Sequence, residues 1–262
     1  MANYTMFNSE FYKNKTIILT GASTGIGKAM AIELLKIECK LVLVARRKEL
    51  IEEYSVKFTG RKNLLVKSCD VSSREETEAL LQETEALFGL PGLLILNAGV
   101  SLGEKYTILD PDATRKTMEI NFFGVVNFVH PMLQPFLKRG NGTFVIVSSL
   151  ADGRGYPQSA AYSASKAAVS IFAESLAVKT EPLGLKVITV KTGFVKTPMT
   201  DKNKFAMPFM ISAEKAAEIM LRDISRGKRV IKFPAATSIL VALSNIVPFK
   251  LFAAAVRSKG AE

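Results

Sequence analysis

The segment Thr20-Gly21-Ala22-Ser23-Thr24-Gly25-Ile26-Gly27 has the spacing Gly-x-x-x-Gly-x-Gly and joins an apolar run to a helical one. Glycines there permit a tight turn and close backbone approach. A helix starting in such a loop turns free N–H groups and its positive dipole end toward an anion such as a pyrophosphate. The alternative is a plain glycine turn. A second apolar run, Leu41–Ala45, ends in Arg46-Arg47. In a dinucleotide-binding unit this position faces the adenosine ribose, and an acid there would bond the 2′-hydroxyl and repel a 2′-phosphate. Two arginines instead offer charge-assisted, bidentate bonds to a phosphate, which selects NADP(H) over NAD(H). The bland alternative is a pair of solvated side chains at a helix start. Further on, Tyr162 and Lys166 stand four residues apart, on one face of one helix, with Ser149 thirteen residues before Tyr162. Alone, such a tyrosine is usually core or interface, and such a serine a cap.

These residues need elements to hold them. Short apolar, β-branched runs at Thr16–Thr20, Leu41–Ala45, Leu64–Lys67, Leu93–Leu96, Thr143–Val147, Lys186–Val190 and Val230–Phe233 alternate with helical stretches. The helices are expected at Ala29–Ile37, Lys48–Phe58, from Ser72 or Ser73 to Phe88, Ala113–Lys138, Ser159–Thr180 and Ser212–Ser225. Pro131 and Pro135 should bend or end the long one. This pattern predicts an α/β, doubly wound parallel seven-stranded sheet (a Rossmann fold) in a single domain over residues 1–234. Ligands of such sheets bind outside the carboxyl ends of the strands, where every motif above falls.

In their order along the chain, TGASTGIG at 20–27, Asp70-Val71, Asn97-Ala98-Gly99, Asn121, Ser149, YSASK at 162–166, and Gly193 with Thr197 resemble the short-chain dehydrogenase/reductase family over roughly residues 13–233. The resemblance implies an NADP(H)-dependent oxidoreductase that interconverts a carbonyl and a secondary alcohol. It implies a catalytic set of Asn121, Ser149, Tyr162 and Lys166. Tyr162 would be the general acid/base. A free tyrosine titrates near 10, so Lys166 and the positive nicotinamide would have to favour the phenolate. Lys166 would also hold the nicotinamide ribose, Ser149 the substrate oxygen, and Asn121 a water leading from Lys166 to solvent. The implied cofactor contacts are Gly21, Ser23, Gly25, Ile26, Gly27, Arg46, Arg47, Asp70, Val71, Asn97, Ala98, Gly99, Tyr162, Lys166, Gly193, Val195 and Thr197. Asp70 would bond the adenine amino group, and Thr197 the carboxamide. Two departures stand out. Thr192-Gly193 replaces the family's frequent Pro-Gly, and Ser23-Thr24 stand where some NADP-using relatives place a basic residue.

The 262 residues are 48% apolar and 23% charged, enough for a sizeable core, and carry a formal net charge of +11. The cations are scattered and match no nucleic-acid motif, so nucleic acid is not an expected partner. Cys39 and Cys69 fit no metal or redox spacing and read as buried apolar side chains, and His130 lacks companions, so no metal site is expected. Met1 to Lys15 shows no apolar leader, which suggests a cytoplasmic protein. The family resemblance implies a homodimer or homotetramer.

The region 235–262 is a separate question. Pro234 to Phe249 runs sixteen residues without a charge, then Lys250 interrupts before LFAAAV. Three readings stay open: a cover over the substrate cleft or a partner subunit, a peripheral membrane contact through 235–257, and a spanning helix, for which it is short. An apolar tail points to a lipophilic small-molecule substrate. Substrate contacts are expected within 101–109, 151–160 and 198–212. Rival functions are a reductase of carrier-linked 3-oxoacyl thioesters, which the positive charge would suit, and a non-catalytic NADPH-binding sensor or interaction protein.

Overall fold

A computed structural model describes residues 7–58, 60–102, 110–156, 159–203 and 206–257. Seven parallel strands form one sheet: β1 Thr16–Thr20, β2 Lys40–Ala45, β3 Leu64–Ser68, β4 Leu93–Leu96, β5 Gly142–Ser149, β6 Leu185–Thr192 and β7 Val230–Phe233. Their spatial order is β3-β2-β1-β4-β5-β6-β7, and the order reverses beside β1. The helices are α1 Gly25–Leu35, α2 Glu49–Ser55, α3 Arg74–Phe88, α4 Pro111–Met118, α5 Gly124–Arg139, α6 Ala160–Thr180, α7 Ala213–Ser225, α8 Ala235–Ile246 and α9 Phe249–Arg257.

Side chains alternate across each strand, so the central strands are apolar on both faces. Ile17, Leu19, Leu41 and Leu43 pack under Met30, Leu34, Ile51 and Met220 of α1, α2 and α7. Ile18, Val42 and Val44 point the other way, into a second core with Leu80, Phe128 and Val169 of α3, α5 and α6. The two layers hold the strands in register, so their carboxyl ends open onto one edge. Local caps agree with the sequence. Ser73 accepts a bond from the Glu76 N–H, and Asp110 accepts from Asp112 and Ala113 with Pro111 in the first turn.

The long helix expected over Ala113–Lys138 is interrupted elsewhere than at its prolines. Pro131 and Pro135 lie inside a continuous α5, while the break is a π-helical turn at Glu119–Phe123, centred on Asn121. Each proline costs a backbone bond, but Phe128, Val129, Met132 and Phe136 bury the same helix in the core and hold it. At Asn121 the side chain bonds both backbone groups of Val100 and the Ser165 hydroxyl. A π turn marks where tertiary bonds override the regular ladder. Beyond β7, where the sequence shows only an apolar tail, the chain forms α8 and α9.

Candidate active site

A single cleft runs along the carboxyl ends of the strands. It is walled by the glycine loop on one side and by Tyr162, Lys166, Gly193 and Thr197 on the other, with Arg46, Asp70 and Asn97 between them. Every expected cofactor contact lines it.

The loop after β1 is compressed to the limit. Gly21 has φ +69°, and a Cβ on it would lie 2.8 Å from the Ala98 Cα. A Cβ on Gly27 would lie 2.1 Å from the Gly21 carbonyl oxygen. Only hydrogen fits at either position. Asn97 braces the turn: its side-chain amide donates to the Thr20 carbonyl at 3.0 Å, while the Thr20 hydroxyl accepts from the Asn97 and Ala98 N–H groups. The N-cap of α1, Thr24, offers no side-chain bond to the first turn. That helix end therefore keeps donors for an anion, and the cradle fits a pyrophosphate.

At the far end of the cleft the Arg46 guanidinium is half exposed and 3.9 Å from the Asp70 carboxylate. Burial pushes the Asp70 carboxyl up, but bonds from the Ser72 hydroxyl and N–H, with the charges of Arg46 and Lys116, outweigh it and hold Asp70 below its ordinary value. Asp70 thus stays ionised beside the arginines.

At the chemical end, the buried Lys166 ammonium donates to the Val147 carbonyl at 2.9 Å and lies 5.8 Å from the Tyr162 ring centroid. Burial pushes it down from 10.5 to about 8. Burial raises the Tyr162 hydroxyl above its ordinary value, a bond with Ser149 opposes this, and the charge of Asp152 adds to it. In the protein by itself burial favours the phenol over the phenolate. A buried ammonium committed to a carbonyl does not offset the loss of water around the ring. The Ser149 hydroxyl accepts from the Ala151 N–H at 3.1 Å and donates to the Thr192 carbonyl at 3.2 Å. Asn121, 1% exposed, clamps Val100 and α6. It supports the loop behind the cleft and does not line it.

Sequence reasoning missed a polar chain under these groups. Asp152, three residues past Ser149, pairs with Lys191 of β6 at 2.7 Å. The Ser170 hydroxyl bonds Asp152 and also the Ser148 hydroxyl at 2.8 Å, and Ser148 donates to the Lys166 carbonyl at 3.0 Å. The chain ties β5, β6 and α6 together beside the catalytic candidates. A lysine within the apolar ITVKTG run, and an acid just past Ser149, were the available signals. Parts of the expected substrate-contacting segments, 103–109, 157–158 and 204–205, lie outside the described residues.

Comparison with known proteins agrees with this geometry. The profile of the short chain dehydrogenase family matches residues 15–207. An uncharacterized oxidoreductase of Myxococcus xanthus is 31% identical over 245 residues, covering 93% of this chain and 96% of the relative. The 11-beta-hydroxysteroid dehydrogenase A of Sesamum indicum is 32% identical over 252 residues, covering 88% of this chain and 71% of that protein. The crystal structure of a 3-ketoacyl-(acyl-carrier-protein) reductase from Brucella melitensis, complexed with NADH, superposes with a TM-score of 0.77. It is 22% identical and covers 87% of this chain and 99% of its own. The chain belongs to the short chain dehydrogenase family of oxidoreductases.

Proposed function

We propose that this protein interconverts a carbonyl and a secondary alcohol on a lipophilic small molecule, using NADP(H), with Tyr162 as the general acid/base. The carrying observation is that Tyr162 and Lys166, with Ser149 bonded to Tyr162 just behind them, stand at one end of a cleft whose other end is a glycine cradle beside Arg46 and Arg47. When bound, the nicotinamide cofactor exchanges the hydride with the substrate carbon. Gly21, Gly25 and Gly27 let the backbone approach the pyrophosphate, with Ser23 and Ile26 in the same loop. Val71, Ala98, Gly99, Val195 and Thr197 form the walls.

In reduction, the Tyr162 hydroxyl gives its proton to the substrate oxygen while Ser149 holds that oxygen. The raised Tyr162 value suits a proton donor, since the hydroxyl is intact at neutral pH. Lys166, protonated below about 8, supplies positive charge near the ring in the reverse direction. Arg46 and Arg47, which line the cleft with Asp70 as the acid among its lining residues, favour a 2′-phosphate. The sesame relative, by its name, acts on a hydroxysteroid, which supports an apolar alcohol or ketone. A stripe of exposed apolar residues on α6, Ile171 and Val178, with Phe123 nearby in sequence to α5, supports a homodimer.

The test is NADPH oxidation by the purified protein against ketones, aldehydes and 3-oxoacyl thioesters. Turnover of apolar ketones supports the reading, preference for carrier-linked thioesters shifts the substrate class, and cofactor binding without turnover of any of them rejects catalysis.

A further inference from the structure

Helix α8 is inside out for a surface helix. Its inner positions carry Thr237, Ser238 and Ser244 with the small Ala236 and Val241, while the larger Ile239, Leu240, Leu243 and Ile246 face outward, 50–80% exposed. Phe249 and Leu251 of α9 continue the face at 72% and 64%. An ordinary surface helix buries its apolar stripe and solvates its polar one. Contiguous exposed apolar surface on a folded protein marks an interaction site.

The helix pair is not loosely attached. Arg154, in the segment that leaves Ser149, donates to the Ser244 carbonyl and, at 2.8 Å, to the Val247 carbonyl. Its guanidinium also lies 3.9 Å from the Phe252 ring centroid, and Tyr156 meets the same ring edge-on. Thr237 packs against Gly193, and Asn245 against Gly153. The inner side is therefore held by the carbonyls of Ser244 and Val247 and by Phe252, although the buried Thr237 hydroxyl has no hydrogen-bond partner among the described residues, and the outward apolar side is left without a covering element among the described residues.

Charge decides what covers it. From Val230 to Ala261 the sequence has no Asp or Glu and four cations, Lys232, Lys250, Arg257 and Lys259, while Arg226 and Lys228 before β7 pair with Asp223. Lys232, just before α8, and Lys250, in the first turn of α9, are exposed and make no ion pair among the described residues. A second copy docked here about a two-fold axis would bring cations against cations with no acid to meet them. An anionic lipid surface offers an apolar layer beneath a negative one, which is the complement of this face. No helix among the described residues is long and apolar enough to cross a membrane, so the contact is in-plane.

We propose that α8 and α9 dock on the surface of an anionic bilayer, with the outward apolar side chains in the headgroup–acyl boundary and Lys232 and Lys250 at the phosphates. The inner side of the same helices sits on residues 150–156, next to Ser149, so docking brings the cleft mouth to the bilayer. That last consequence rests on the lipophilic-substrate reading; the docking does not.

The full chain contains no tryptophan, so Phe249→Trp installs a single fluorescent probe. With vesicles of phosphatidylcholine containing about one third phosphatidylserine, its emission should shift to the blue and the protein should co-sediment, less so in high salt. Leu243→Asp with Ile246→Asp should lower vesicle binding by more than about tenfold, with NADPH affinity and the thermal transition unchanged. Lys232→Glu with Lys250→Glu should do the same on anionic vesicles. No spectral shift and no co-sedimentation would overturn the proposal. So would sedimentation velocity showing that the double Asp variant turns a dimer into a monomer, since the face would then belong to a second copy. Vesicle binding is read without turnover, so a failure of the catalytic reading would leave this result standing.

Discussion

The cleft and the C-terminal helix pair use polar and apolar side chains in opposite ways. At the chemical end of the cleft and just behind it, buried polar groups are committed: Lys166 to Val147, Asn121 to Val100 and Asp152 to Lys191. In the helix pair, the inner side is fastened by Arg154 to the Ser244 and Val247 carbonyls and to the Phe252 ring, and most of the large apolar side chains face solvent. Buried polar groups without partners cost about 1–3 kcal/mol each, so the cleft must be pre-organised by the fold. Exposed apolar groups cost the fold little, so the tail can be specialised for something outside the chain. One region is rigid because its chemistry needs fixed geometry, and the other is decorated because its contact is made elsewhere.

The largest effect expected on either side of that contrast is at Tyr162. Tyr162→Phe should lower turnover by about 10²–10⁴-fold while NADPH affinity, measured by calorimetric titration, hardly changes. Near-full activity in the purified variant would remove the proton-transfer role.

Next comes Lys166. Its value is about 8 in the fold against 10.5 as the ordinary value. The unfolded chain therefore binds more protons between these values, and stability rises with pH there. Below about 8 the full cost of burying the ammonium is present, and it is relieved as pH climbs toward 10.5. The relief is about 3 kcal/mol, from 1.36 kcal/mol per unit. Denaturant midpoints of the cofactor-free protein should show the rise, and Lys166→Met should flatten it. An identical slope in the variant would mean the ammonium is not desolvated as the geometry indicates.

A comparable but smaller change concerns the cofactor. Arg46→Ala with Arg47→Ala should weaken NADPH by about one to two decades and leave NADH nearly untouched, as expected for one or two charge-assisted contacts. Equal losses for both cofactors would assign the arginines to general steering.

Asp152 tests the network that supports the catalytic candidates. Its charge raises the Tyr162 hydroxyl, so Asp152→Asn should move the basic rise of alcohol oxidation to lower pH. A profile that only loses amplitude would make Asp152 purely structural. The smallest effect belongs to the tail: Leu243→Asp should change unfolding free energy by no more than about 0.5 kcal/mol, the usual range for surface positions. A large loss there would show that the outward face is core, and would collapse the contrast between the two regions.

The fold and the membership of the cleft were legible because they rest on short-range rules. Short, near-continuous apolar runs alternating with helical stretches give parallel strands buried on both faces, and the glycine spacing gives a loop only hydrogen can fill. The four-residue step from Tyr162 to Lys166 puts both on one helix face. What the sequence could not show were matters of distance between remote segments. The π turn at Asn121 arises because Val100 and Ser165 claim its side chain, while Pro131 and Pro135, the visible suspects, are carried by core packing. Asp152 meets Lys191 only because β5 and β6 lie side by side.

The tail divides along the same line. Its apolarity, and its lack of acids from Ala235 to Ala261, are written in the residues. Which side of α8 faces out was decided by Arg154 reaching the Ser244 and Val247 carbonyls and fixing the helix rotation. Composition determines how much apolar surface a segment carries, and only the tertiary contacts determine whether water or protein receives it.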